Sequence, residues 1–289
     1  MRSEQEMIDL LLDFARMEED IRVVLMNGSR VNPNVKKDLM QDFDVVYLVR
    51  QVEPYKRNHR VVSYFGELMI LQTPEDMKDP PPEGDGHYAY LMQFMDGNRI
   101  DLSFHPLDRL DDVPNDSLTV VLLDKDGIVK EIPPPSDRGY LPSEPTDKLF
   151  QDCCNEFWWV SPYVAKGLWR EELTYARYML DLVLREEQLM KMLTWYFGIK
   201  TGFKKSPGKF GKYVRSAIEP EIWKEFEKTY SDADFDHIWK SLFTIGKLFR
   251  RLANEVASHY GFQYPQKDDE RVTEFLWRIR NLPRDATEI

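Results

Sequence analysis

Two short stretches carry the residue types that could do chemistry. The first is Asn27-Gly28-Ser29-Arg30, and the second, after a polar loop, is Gln41-Asp42-Phe43-Asp44. Glycine adds no side chain, so a strand that opens into Gly28-Ser29 can bring backbone N–H groups close to a bound anion. In an extended chain Asp42 and Asp44 point the same way, about 7 Å apart at Cα. Paired carboxylates repel each other unless a cation lies between them, and hard oxygen donors suit Mg²⁺. The chemistry expected is that of a nucleoside triphosphate site. The plain alternative, an aspartate pair that only solubilises a loop, lacks the order of strand, Gly-Ser turn, loop and second strand.

Those residues need strands to hold them. Ile21 to Met26 and Phe43 to Val49 are β-branched, apolar runs of strand length. Ser3-x-x-Glu6 is a capping-box pattern opening a helix whose inward stripe is Met7, Ile8, Leu11, Phe14 and Ala15. Gly66 to Gln72 is a third strand, followed by a helix start at Pro74. An irregular loop over 79–86 leads into His87 to Met95, the turn Asp96-Gly97-Asn98, and the return strand Arg99 to His105. Asp101 is then a carboxylate in mid-strand, costly unless paired. It either completes a metal site beside the Asp42/Asp44 strand or pairs with Arg99 or Arg109 at a sheet edge. Thr119 to Leu123 is the last strand.

Pro133-Pro134-Pro135 and the polar residues up to Pro145 support neither helix nor ladder, so a domain boundary is expected there. Beyond it the pattern is helical: 146–170 kinked or interrupted at Pro162, 171–197, 220–230, 235–260 and 270–282. Between these helices, Lys204, Lys205, Lys209 and Lys212 form either a solvated loop or a clamp on triphosphate charge. This loop lacks Walker A spacing, because Phe210 follows Lys209 where Ser or Thr is needed.

The 289 residues suit two domains, and a net charge of −11 argues against a nucleic-acid partner. The charged start Met1-Arg2-Ser3-Glu4 is no signal peptide, and no apolar run reaches membrane-span length, so a cytoplasmic protein is expected. Cys153 and Cys154 are adjacent and form no framework disulfide or zinc site.

Four segments together resemble the aminoglycoside 6-adenylyltransferases, also called streptomycin adenylyltransferases, of the polymerase-β-like superfamily. They are Leu25 to Val49, Gly97-Asn98-Arg99-Ile100-Asp101-Leu102-Ser103, Asp152 to Leu168, and Trp239-Lys240-Ser241-Leu242-Phe243. The first is shared across the superfamily; the third is specific to the family. Asn27 departs from the pattern, where an acidic residue is expected, which bears on substrate preference more than on chemistry.

The resemblance implies an α+β protein: a nucleotidyltransferase domain over 1–135, with a mixed sheet flanked by helices, and an α-helical, aminoglycoside-binding bundle over 136–289. It implies that Asp42, Asp44 and Asp101 hold Mg²⁺, two ions by analogy, and that Gly28, Ser29 and Arg30 receive ATP. Lys166 and Lys212 are assigned to the triphosphate. Glu156 is the expected base or drug-orienting carboxylate, with Asp101 the alternative base. Asp152, Glu156, Trp159 and Asp181 are expected to hold a cationic acceptor through charge and ring contact. The implied reaction is AMP transfer from ATP to a streptomycin hydroxyl. Alternatives are another acceptor, such as a lincosamide, another aminocyclitol or a protein hydroxyl, or a silent nucleotide-binding regulator. Monomer and homodimer both remain open.

Overall fold

The structure, a computed structural model, describes residues 1–82 and 84–288; for 113–115 it describes the backbone only. Glu83, within the irregular loop, and Ile289 lie outside the described residues. The chain divides into two compact units, Met1–Gly139 and Tyr140–Ile289.

The first unit is built on strands β1 (Ile21–Asn27), β2 (Phe43–Val49), β3 (Leu68–Gln72), β4 (Tyr88–Phe94), β5 (Arg99–Pro106) and β6 (Thr119–Asp124). Among the described residues they form one sheet in the order β3-β4-β5-β2-β1-β6. β2 and β5 run parallel, and the other neighbours run antiparallel. β5 is therefore an interior strand, not an edge.

Alternation along the strands separates two faces. Val24, Met26, Phe43, Val45, Tyr47, Ile100, Leu102, Phe104, Tyr88 and Tyr90 belong to the main core of this unit. Helix α1 (Glu4–Met17) covers that face with Met7, Leu11, Phe14 and Ala15, and its Ser3–Glu6 capping box is formed. The Tyr47 hydroxyl donates to the Leu11 carbonyl at 2.7 Å. Helix α2 (His59–Tyr64) adds Val61 to the same core. The opposite face carries Asn27, Asp44, Asp101 and Ser103. There the patch around Val23, Leu25 and Leu48 is covered in part by Leu107 and Leu110. The helix expected after Thr73 is a single 3₁₀ turn, Pro74–Asp76, because Glu75 instead accepts from the Ala89 N–H at 2.7 Å and ties the turn to β4.

The second unit is helical. Of the kink or interruption expected at Pro162, the interruption is absent: α3 (Asp147–Trp169) runs through the proline as one helix. Val160, Ser161, Val164 and Ala165 are buried on both sides of the proline and hold the helix in place. A continuous helical run follows: α4 (Leu173–Tyr178), a π-helical segment (Met179–Leu189) and α5 (Met190–Thr201). α6 (Pro220–Glu227), α7 (Phe235–Tyr260) and α8 (Gln266–Arg280) complete it. The rings of Phe157 and Phe249 stack at 3.8 Å and join α3 to α7.

Candidate active site

β1 ends at Asn27, and Gly28 takes φ +78°, a conformation open to glycine at little cost. A Cβ at Gly28 would lie 2.1 Å from Asp44 Oδ2. The backbone turn and the carboxylate therefore touch, and only a residue without a side chain permits it. The Gly28 N–H itself donates to the Leu118 carbonyl at 3.2 Å, tying the turn to the start of β6.

Asp44 and Asp101 are register partners across the parallel β2–β5 seam. With Asn27, Gly28, Ala89 and Ser103 they line a cavity of about 390 Å³ on the less covered face of the sheet. Burial, and after it the charges of Asp101 and Asp42, push the Asp44 carboxyl up to about 6. Burial also raises Asp42, against the pull of Arg99. Arg99 binds Asp101 through Nε at 2.7 Å and Nη2 at 2.8 Å, and its Nε lies 3.7 Å from Asp42 Oδ2. The pairing of Asp101 with Arg99 considered above is thus present, but in the sheet interior and beside Asp42 rather than at an edge.

The donor set fits a hard divalent cation in kind: carboxylate oxygens crowded closely enough to raise one another's affinity for positive charge. It is not a finished cage. Among the described residues no group of three or more His, Cys, Asp or Glu side chains has metal-holding geometry. The guanidinium of Arg99 occupies the position between Asp42 and Asp101.

Arg30, expected to receive ATP, is turned onto the aspartate loop. It is 8% exposed, donates from Nε to the Asp42 carbonyl at 3.2 Å and from Nη2 to the Gln41 carbonyl, and stacks 3.7 Å over Phe43. Gln41 Nε2 donates in turn to the Ser29 carbonyl at 3.0 Å. The arginine clamps the Gly-Ser turn to the aspartate loop through Nε and Nη2, and its Nη1 lies 3.6 Å from Glu4 Oε2.

In the helical unit, α3 and α8 enclose a cavity of about 770 Å³. Asp152, Trp159 and Lys166 line it together with Tyr163, Asp268 and Arg271. The α3 contributors recur at helical spacing along one stripe. Asp152, Trp159 and Lys166 are legible from the sequence; Asp268 and Arg271 are not, since nothing in their spacing tells which helix α8 will face. Beneath this cavity, Trp158 Nε1 donates to the Tyr264 hydroxyl at 3.1 Å, and that hydroxyl donates to the fully buried Asp269 at 2.6 Å. Arg250 pairs with Asp269, which stiffens the α7–α8 corner.

The remaining expected residues lie elsewhere. Glu156 is exposed on α3 and is not among the residues lining the cavity. Asp181 is held by Arg177 at 2.8 Å and Arg185 at 2.6 Å, and does not line the cavity. Lys166 shares the cavity with Asp152 and Trp159, while Lys212 lies 5.1 Å over Tyr213 in the lysine-rich loop.

A glycine turn on a mixed sheet, touching a strand-borne aspartate that is paired in register with a second, defines the class of the nucleotidyltransferases. The family model described as streptomycin adenylyltransferase matches residues 1–279, and the chain belongs to that family. It is similar to an aminoglycoside 6-adenylyltransferase of Bacillus subtilis (strain 168), 41% identical over 277 residues, covering 95% of this chain and 97% of the relative. A Campylobacter jejuni protein of the same name is 39% identical over 279 residues, covering 96% of each. One from Staphylococcus aureus is 36% identical over 267 residues, covering 92% of this chain and 94% of the relative. A crystal structure of an aminoglycoside 6-adenyltransferase from Bacillus subtilis is 37% identical, covers 98% of this chain and 100% of that one, and superposes with a TM-score of 0.48.

Proposed function

We propose that this enzyme transfers AMP from ATP to a hydroxyl of streptomycin, the 6-hydroxyl in keeping with its relatives' names, and releases pyrophosphate. The observation that carries the reading is the contact of Gly28 with Asp44, itself in register with Asp101. The sheet unit takes the nucleotide and the helical unit recognises the cationic acceptor.

The acceptor oxygen attacks the α-phosphorus, the bond to the bridging oxygen of the β-phosphate breaks, and pyrophosphate leaves with that electron pair. Asp42, Asp44 and Asp101 would hold Mg²⁺, which when bound neutralises charge on the phosphates. Gly28 and Ser29 let the phosphates approach the backbone. The acceptor proton passes to a carboxylate, for which Glu156 is the first choice and Asp101 the second. Asp152 and Trp159 line a cavity suited to a guanidinium-bearing drug through charge-assisted hydrogen bonds and ring contact. Lys166 and Lys212 bear on the triphosphate in this reading.

The test is pyrophosphate release from ATP and Mg²⁺ with streptomycin, spectinomycin and lincomycin in parallel, with mass detection of the adenylyl adduct. Release with streptomycin and an adduct on it supports the reading. Release with lincomycin alone, or ATP binding without transfer to any of the three, overturns the acceptor assignment.

A further inference from the structure

Next to the aspartates lies a second, smaller concavity that the proposed chemistry leaves unused. It measures about 200 Å³, and its floor is formed by Leu25 and Asn27 of β1, Val46 and Leu48 of β2, and Thr119 of β6. Such a volume is below that of a pocket for a whole drug-sized molecule, and suits one functional group of a larger ligand.

Two atoms in the floor are conspicuous. Thr119 is 3% exposed, and its Oγ1 has no hydrogen-bond partner among the described residues. Asn27 Oδ1 is likewise buried without a partner. The two residues are direct register partners across β1 and β6, which puts their Cα atoms about 5 Å apart. An unsatisfied buried oxygen costs free energy, so a pair on residues that line one concavity marks a place where a ligand that reaches them supplies the missing partners.

The rim decides the sign of that ligand. Asp85, Asp112 and Asp116 line it, against Arg109. Arg109 is bound to Asp112 at 3.0 Å and lies 3.6 Å from Asp85. His105, also on the rim, stacks on His87 at 4.9 Å. Burial, then the neighbouring His87, lower its proton affinity, so it adds no positive charge at neutral pH. A phosphate is disfavoured by the rim carboxylates and by the Asn27 amide oxygen, which can only accept, whereas the Thr119 hydroxyl takes either role. A planar cation with N–H groups on adjacent nitrogens meets both oxygens at once.

We propose that this notch is a guanidinium subsite: Asn27 Oδ1 and Thr119 Oγ1 accept from one guanidinium of the acceptor and so hold the neighbouring hydroxyl beside Asp44 and Asp101. The assignment deepens the proposed streptomycin reading and rests on it. The acidic rim draws the group in, and the two floor oxygens orient it.

The test uses the full chain and streptidine, the bis-guanidino ring of streptomycin, titrated by calorimetry, with spectinomycin as the acceptor lacking guanidinium. Thr119→Val keeps the side-chain shape and removes the hydroxyl. It should weaken streptidine binding about tenfold, the scale of one hydrogen bond to a charged group. ATP affinity should stay as in the parent and the melting temperature should hold or rise, because the lost hydroxyl had no partner among the described residues. Thr119→Ser should restore binding. Asn27→Leu is the second variant, expected to act in the same direction. Unaltered streptidine affinity in Thr119→Val and Asn27→Leu overturns the subsite, as does streptomycin transfer by a parent enzyme that does not bind streptidine. Failure of the wild type to adenylylate any drug is a different result and bears on the reaction, because the streptidine titration is read without turnover.

Discussion

Arg99 grips Asp101 with both Nε and Nη2, at 2.7 and 2.8 Å, while the same Nε stands 3.7 Å from Asp42. One side chain thus supplies positive charge to two of the three carboxylates proposed to hold Mg²⁺. Removing it should make the cluster more hungry for cations. In Arg99→Gln, Mn²⁺ binding followed by electron paramagnetic resonance is expected to tighten several-fold without nucleotide, and the metal-free protein is expected to melt earlier. Weaker Mn²⁺ binding would sink the idea that Arg99 and metal compete for the same oxygens.

Asp44 should trade stability for activity. Its carboxyl is raised from 3.8 to about 6, so the folded state holds this proton more tightly than the unfolded chain does. By linkage, the Asp44 contribution to metal-free stability falls as pH rises from about 4 to 6, and is lowest above the folded value. Asp44→Asn is therefore expected to abolish transfer while raising the melting temperature at pH 7 without metal. Thermal scans at pH 4.5 and 7 check this: the advantage of the variant should shrink at the lower pH. Full residual transfer would remove Asp44 from the metal site.

Gly28→Ala places a methyl group 2.1 Å from Asp44 Oδ2 at a positive φ. We expect a loss of more than about 1 kcal/mol of stability. Turnover should fall at least a hundredfold, since Asp44 must move out of register with Asp101. Steady-state kinetics beside a urea melt would show whether activity falls further than folding does.

Asp152 and Asp181 should behave differently. Asp152 lines the helical cavity, whereas Asp181 neutralises Arg185, only 2% exposed and also bonded to Thr229 Oγ1 at 3.1 Å. Asp152→Asn is expected to raise KM for streptomycin with little change in stability. Asp181→Asn is expected to destabilise by about 3 kcal/mol, by leaving a buried guanidinium short of its anion, with KM nearly unchanged. The opposite pattern would return Asp181 to the acceptor site.

Arg30→Ala should act as a structural lesion of the turn. Losing its bonds to the Gln41 and Asp42 carbonyls is expected to speed hydrogen exchange across 28–44 before global unfolding. An ATP affinity lost with exchange unchanged would make it a direct nucleotide contact instead.

β1 and β2 were legible as apolar, β-branched runs because they lie in the sheet interior, and β5 by its alternation of Ile100, Leu102 and Phe104 with Arg99, Asp101 and Ser103. The Gly28–Ser29 turn and the aspartate pair were legible from local sequence as well. Long-range partners were not. Nothing local tells that Arg30 folds back over Phe43, that Asp181 meets Arg185 and Arg177, or that Asp268 and Arg271 face the α3 stripe. Charge in a sequence looks like function until its counter-charge is located. Pro162 left a kink or an interruption open, and burial on either side keeps α3 uninterrupted.

The parallel seam between β2 and β5 has a consequence in time. Asp44 and Asp101 are neighbours in register but 57 residues apart along the chain. At roughly 5–20 residues per second, synthesis leaves Asp42 and Asp44 waiting several seconds before their partner strand exists. Until then β2 can pair only with β1, and the edge that will carry the Asp44–Asp101 register is bare. The nascent chain has the Gly28–Ser29 turn but not the paired aspartates, and its unpaired β2 edge is the surface that a chaperone would have to shield.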